Sequence, residues 1–199
     1  MLSKLFKPFF SEAFWSMFWR YRHLWDRKWP EGYTNEESLN SPHRKLILEA
    51  VRQFEPFENL LEYGCGPGAN LALLADRYPK SHFVGVDISE VALRMAIKRP
   101  NIEYMTKRPE GDFSIFLTDA CLIYREKPRA ILDAIRTYGN GYVGCEWHDD
   151  NGPFQHGKHF VHNFRKLFPG CELRKLTWND WQDDGWSTYG HIITWKKND

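Results

Sequence analysis

The sequence predicts an α/β fold in which helices flank an open, mostly parallel sheet. Three observations predict it. Residues Asn59 to Ser89 read as strand, glycine-rich turn, helix and strand, with a lone acid, Asp87, at the tip of the second strand. From Ser41 to Trp147, apolar helices and short apolar strands alternate, the order that sets strands side by side in parallel. Near the end, Cys171–Trp178 and Thr188–Lys196 alternate in polarity as two more strands.

Residues 1–30 carry ten aromatic and six basic residues against two acids, a composition unlike the rest. A helix over Ser11–Lys28 follows Pro8, with Ser11 as cap and Phe14, Phe18 and Trp25 along one side. Trp29–Asn40 is rich in turn formers and acids and reads as a loop. The chain therefore divides into an N-terminal helix and loop, 1–40, and a domain proper, 41–199.

Ser41-Pro42 opens a helix with Leu46, Ile47, Ala50, Val51 and Phe54 at helical spacing. After the first strand, Gly64, Gly66 and Gly68 let the backbone bend tightly and approach a ligand. Ala69–Tyr78 then buries Leu71, Leu74 and Ala75 against the sheet, and His82–Asp87 is the second strand. Ser89 caps a helix reaching Lys98 with Val91, Ala92, Met95 and Ala96 inward, and Pro100 ends it. Asn101–Thr106 and Phe113–Thr118 are the third and fourth strands, Arg129–Tyr138 a helix with Ile131, Leu132 and Ile135 inward, and Gly141–Trp147 the fifth strand. Gly157–Phe168 suits a helix with Phe160, Phe164 and Leu167 buried, stopped by Pro169-Gly170.

At 199 residues the chain suits one core. A net charge of +1 gives no field to draw it onto nucleic acid. Cys65, Cys121, Cys145 and Cys171 form no C-x-x-C pair, which fits reduced thiols in a cytoplasmic protein. No uninterrupted apolar run of about 18 residues offers a membrane span.

The run E-Y-G-C-G-P-G at 62–68, followed by V-G-V-D-I-S at 84–89, resembles the first motif and following acid of the class I S-adenosylmethionine-dependent methyltransferases. A dinucleotide-binding turn would more often read G-x-G-x-x-G. The resemblance covers about residues 41–147. It implies a Rossmann-like, seven-stranded sheet closed by an antiparallel C-terminal pair, with residues 1–40 as a helical lid. It further implies S-adenosyl-L-methionine as cofactor. Glu62, Gly64, Cys65, Gly66 and Gly68 would hold its amino-acid end and Asp87 its ribose. The segment before the first strand often supplies groups for the cofactor carboxylate, and Arg44, His43, Arg27 and Tyr33 are the candidates.

Two departures stand out. The family's acid after the third strand is replaced by Thr106, Lys107 and Arg108, which leaves adenine to Ile88 and neighbouring backbone. The crossing from third to fourth strand must span roughly 22 Å, past two strands and down one strand length. Lys107–Asp112 leaves no room for a helix, so the crossing is a taut strap or the third strand is short or absent.

Thr118-Asp119-Ala120 falls beside the glycine turn, where open α/β sheets bind ligands, so Asp119 is a cofactor or substrate contact, with a helix-capping role as the alternative. At the exit of the fifth strand Glu146, His148, Asp149 and Asp150 share that rim, and His148 is the candidate general base. Asp119 with Asp150 and Asn151 resembles an oxygen-ligand set, and His156, His159 and His162 offer nitrogens. The spacings are loose and no cysteine pair helps, so no metal is expected.

Methyl transfer from a sulfonium needs alignment more than covalent help. T-D-A-C stands where amino-methylating enzymes carry an N-P-P-Y-like tetrapeptide, so a small-molecule acceptor, methylated on oxygen, is the reading. Trp147, Trp178, Trp181 and Trp186 suit a planar, sugar or lipid-like acceptor. Two alternatives stay open: a non-catalytic binding protein of methyltransferase shape, and a membrane-surface enzyme acting on a lipid-like intermediate, motivated by the aromatic and basic N-terminus.

Overall fold

The computed structural model describes residues 36–197. The expected helix over Ser11–Lys28, together with Arg27 and Tyr33, lies outside the described residues.

The chain enters through a single helical turn, α1 (Glu36–Leu39), inside the segment expected to be loop, and α2 (Pro42–Arg52) follows. Pro42 has the φ of a helix start and no N–H to satisfy, and Leu46, Ile47, Ala50 and Val51 form the buried stripe. Next come β1 (Asn59–Tyr63), α3 (Ala69–Arg77) and β2 (His82–Val86). Helix α4 (Glu90–Arg94) is shorter than its sequence pattern suggests. Ser89 Oγ accepts the Ala92 N–H at its start, Leu93 points inward, and Met95 is 40% exposed. Then come β3 (Ile102–Met105), β4 (Ile115–Asp119), a 3-10 turn (Leu122–Tyr124), α5 (Arg129–Tyr138) and β5 (Gly141–Trp147).

The expected helix over Gly157–Phe168 is corrected by the structure. Its first half is a hairpin, β6 (Phe154–His156) with β7 (His159–Val161), and only α6 (Phe164–Leu167) is helical. Gly157, at φ +58°, makes the turn that a helix cannot contain, and it aligns His156 opposite His159. β8 (Glu172–Lys175), α7 (Asp184–Tyr189) and β9 (Gly190–Lys196) complete the chain. Helix α7 lies in the acidic stretch between the two C-terminal strands, and Asp183 accepts the Trp186 N–H to start it.

The seven-stranded sheet runs β3-β2-β1-β4-β5-β9-β8, parallel through β5 and antiparallel at β9 and β8. Leu60, Ile115, Leu117 and Val143 bury one face beneath α2 and α3, and Leu61, Val84, Phe116 and Tyr142 bury the other with α5 and α6. The crossing from β3 to β4 is resolved in favour of a short third strand. Four residues suffice for β3 and β4 begins at Ile115, so residues 106–114 make an extended strap with ample reach. Arg108 stacks its guanidinium 4.2 Å from the Tyr138 ring, and the Phe113 N–H donates to the Tyr138 carbonyl at 2.8 Å. Those contacts hold the strap where a helix would otherwise lie.

Register positions the site. Tyr63 sits opposite both Val86 and Thr118, so β1, β2 and β4 end level, and the chain order reverses between β1 and β4. Gly64, Asp87 and Asp119 therefore emerge together at the crevice of the sheet.

Candidate active site

A cavity of about 740 Å³ opens over those strand ends. The glycine turn, Asp87 and Ile88 line one end, and Asp119 to Cys121 form the floor. Trp181, Trp186 and His159 stand at the other end, and Glu37, Ser38 and the run Asn40 to Arg44 line it from the N-terminal side.

The turn is shaped by positive φ at Gly64, Gly66 and Gly68, of which two matter differently. A Cβ on Gly66 would meet nothing within 4 Å, so that position is bare for a ligand. A Cβ on Gly68 would strike the Tyr104 hydroxyl, so that glycine serves close packing at the start of α3. Asp87 accepts the Gly66 N–H and the Ser89 N–H, each at 2.8 Å, and burial pushes its pKa up.

Beneath the turn lies a buried polar network. Asn70 donates to Glu62 Oε1 at 2.7 Å and to Asp119 Oδ2 at 3.0 Å, while Asn70 Oδ1 accepts from Arg44. Arg44, 6% exposed, also reaches Asp119 Oδ2 at 3.4 Å and donates Nε–H to the Ser38 carbonyl at 2.9 Å. His43 Nε2 lies 3.7 Å from the same Asp119 oxygen. Burial pushes Glu62 up to about 8, only partly offset by the Asn70 hydrogen bond. Burial also acts upward on Asp119, but His43, Arg44 and Asn70 outweigh it and hold that carboxyl at about 2. Among the described residues, Glu62 Oε2 and Asp119 Oδ1 are buried with no hydrogen-bond partner. Both are acceptors that a donor group of a ligand in the adjoining cavity would satisfy.

Residues 60–135, from β1 to α5, match the family described as Methyltransferase domain. The fold is the class I, Rossmann-like methyltransferase fold, and residues 60–135 resemble the Methyltransferase domain family. One curated relative of this methyltransferase fold is the trans-aconitate 2-methyltransferase of Acidovorax sp. (strain JS42), 33% identical over 84 residues. That match covers 42% of this chain and 31% of the relative, so the chain aligns with about a third of the curated relative's length. The N-terminal domain of EvdMO1 with SAH bound is a structural neighbour at TM-score 0.60 and 15% identity, covering 82% of this chain and 85% of that one. The plantazolicin methyltransferase BpumL, in complex with a monoazolic desmethylPZN analog and SAH, is another, at TM-score 0.59 and 13% identity. There the coverage is 94% and 96%.

Within the methyltransferase fold, Glu62, Gly64, Cys65, Gly66, Asp87, Ile88 and Asp119 all line the one cavity, and Gly68 stands just behind it. His43 and Arg44 line it too. His148 is not among the lining residues: it is 5% exposed beneath α6, its Nδ1 accepts the Phe164 N–H at 3.0 Å, and its Nε2 lies 3.4 Å from Asp150. Glu146, expected on the rim, is fully buried and accepts the N–H groups of Cys121, Leu122 and Ile123. β5 is buried at every position, so Glu146 has no exposed face to occupy, and His148 follows the strand directly under the same cover.

The three histidines of the hairpin region diverge. His159 lines the cavity, His156 faces the Tyr189 ring, and His162 Nε2 lies 3.0 Å from the Leu122 carbonyl. Among the described residues, no group of three or more His, Cys, Asp or Glu side chains is placed to hold a metal ion. The four cysteines are free thiols, and no described helix is long and apolar enough to cross a membrane. Asn70 was missed by sequence reasoning because nothing local marks a helical asparagine whose partners lie 26 and 49 residues away.

Proposed function

We propose that the chain is an S-adenosylmethionine-dependent methyltransferase acting on oxygen of a small-molecule acceptor. The observation that carries the reading is the pair of unpartnered carboxylate oxygens, Glu62 Oε2 and Asp119 Oδ1, set in the same cavity as Asp87. An amino acid joined to a ribose fits that arrangement end to end. Its ammonium answers the open oxygens, Arg44 and the N–H groups around Gly64, Cys65 and Gly66 suit its carboxylate, and Asp87 accepts from ribose hydroxyls. Ile88 and Ile131, which line the cavity beyond Asp87, offer apolar faces to adenine, while Thr106 to Arg108 do not line it.

When bound, S-adenosylmethionine supplies a methyl group already activated on a sulfonium. The chain's own task is to orient the acceptor, exclude water and hold a proton. His43 is the imidazole placed for the proton, since Asp119 lies 3.7 Å from its Nε2 and Trp181 stacks on its ring at 4.0 Å. Asp119 thus serves both cofactor and base, and His148 is set aside for this role by its position. Glu37, Ser38 and Asn40, at the end of the segment 1–40, line the cavity, which supports reading that end as part of a lid on the domain 41–199.

Calorimetry with SAH and with S-adenosylmethionine tests the assignment. Binding by the parent chain and its loss in Asp87→Ala are expected, with labelled methyl passing to one member of an acceptor panel that includes trans-aconitate. Binding without transfer to any acceptor favours the non-catalytic reading, and no heat of binding at all removes the cofactor assignment.

A further inference from the structure

The outer half of the cavity holds an unbroken arc of aromatic rings. His43 stacks on Trp181 with centroids 4.0 Å apart, and Trp181 stacks on Trp186 at 3.8 Å with planes 1° apart. Trp186 meets Trp147 edge-on at 6.0 Å, Trp147 meets His159 at 4.8 Å, and His159 meets Tyr124 at 5.2 Å. The three edge-on spacings lie within the range of favourable ring pairs, and the two stacked pairs sit closer. The rings come from α2, α7 and the loop before it, β5, β7 and the 3-10 turn, and all but Trp147 line the cavity. Four elements and one loop converge rings on one space, and the hairpin is what brings His159 there.

We propose, resting on the methyltransferase reading, that this arc seats a flat aromatic acceptor bearing a hydroxyl and no carboxylates. Charge decides between this and an acidic acceptor. Arg44 is already matched by Asp119 and Asn70, and Arg125 lies in the field of Asp87 at the cofactor end. Glu37 and Asp180 line the same cavity and add negative charge. Burial holds His159 down at about 4, so its ring is neutral at pH 7 and faces an acceptor as a π surface. A tricarboxylate placed here brings its charges against Asp119, Asp180 and Glu37, with no unmatched cation among the described lining residues to receive them. A planar phenol instead gains ring contacts along the arc and offers its proton toward His43.

The test uses the full chain and two probes, 2,3-dihydroxynaphthalene and citrate, titrated calorimetrically with and without saturating SAH. The dihydroxynaphthalene is expected to bind at least about ten-fold more tightly than citrate, a difference readily resolved in dissociation constant. Trp181→Leu and, at the other end of the arc, Tyr124→Leu are each expected to weaken it by about ten-fold while SAH affinity changes little. Using both ends guards against one variant failing to fold. Equal or tighter citrate binding, no saturable dihydroxynaphthalene binding, or indifference of both variants overturns the proposal. A chain that binds SAH and not the phenol loses the aromatic seat alone. A chain that binds the phenol and not SAH keeps the seat and loses the methyltransferase reading.

Discussion

Asn70 Nδ2 lies 2.7 Å from Glu62 Oε1, a hydrogen bond that ties the first turn of α3 to the penultimate residue of β1. The same amide spans to Asp119 and Arg44, so one neutral side chain holds two acids and a guanidinium in register. Without it the buried charges lose their spacer, and burial without partners is costly. Asn70→Leu is expected to destabilise the fold by about 2–4 kcal/mol. For a chain of this length that is a melting temperature lower by roughly 5–15 °C. Scanning calorimetry checks it, and a melt within a degree or two of the parent rejects the network as a stabilising element.

Glu62 gives the cavity a pH response. Its folded pKa, raised by burial to about 8, exceeds its ordinary 4.5, so the folded chain holds a proton there that the unfolded chain releases above 4.5. Its contribution to stability is therefore full below 4.5 and is lost as pH rises through 8. A bound ammonium draws the carboxyl back to its charged form and expels the proton. SAH affinity is expected to rise between pH 6 and 8 by up to about ten-fold per unit and then level off. Calorimetry in two buffers of different ionisation enthalpy reads the proton directly. Glu62→Gln should flatten both the affinity profile and the proton release, and a parent chain with no proton release at pH 7 contradicts the assignment.

The contrast between Asn70 and the glycine turn shows what sequence can carry. Gly64, Gly66, Gly68 and Asp87 announce themselves because backbone geometry permits few residue types there and their spacing is local. β5 was legible to the residue because seven consecutive buried positions bounded by Gly141 and Trp147 leave little else to be. The hairpin at 154–161 was not. Phe160, Phe164 and Leu167 happen to repeat at helical spacing, and only the turn at Gly157 breaks the pattern. Helix α7 was hidden by its acids, which are capping rather than loop residues. His148 and Glu146 read as rim groups because strand exit implies exposure, whereas α6 covers the one and the turn after β4 consumes the other.

Two glycines of the turn should fail in different ways. At Gly66 an added Cβ meets nothing, and the φ of +52° is one that an alanine adopts at a cost of roughly 1 kcal/mol. Gly66→Ala is expected to melt within a few degrees of the parent yet bind SAH at least about ten-fold more weakly, because the methyl occupies ligand space. Gly68→Ala must displace the Tyr104 ring as well as adopt φ +79°, and it should lose stability first. Reversal of the two phenotypes, read by paired melts and titrations, overturns the division between ligand-facing and packing glycines.

Glu146 offers the sharpest separation of charge from shape. Its carboxylate accepts N–H groups from Cys121 at 2.9 Å, Leu122 at 3.1 Å and Ile123 at 3.3 Å, and so fixes the turn that carries Cys121, Ile123 and Tyr124 into the cavity. Burial nevertheless raises its pKa to about 7, against the lowering effect of those donors. Because the folded value lies above the ordinary 4.5, the parent chain loses this contribution as pH climbs from 4.5 through 7. Glu146→Gln keeps an acceptor oxygen and the shape but cannot titrate. It should be less stable than the parent by about 1–3 kcal/mol near pH 5, where an acceptor is lost without relief of charge, and the gap should narrow by pH 8. Glu146→Leu leaves all three N–H groups unmet and should be the weaker variant at every pH. Melting curves of the three chains between pH 5 and 8 decide it: parallel curves for parent and Gln variant mean that Glu146 does not titrate in this range, and the buried-carboxylate account of the turn fails.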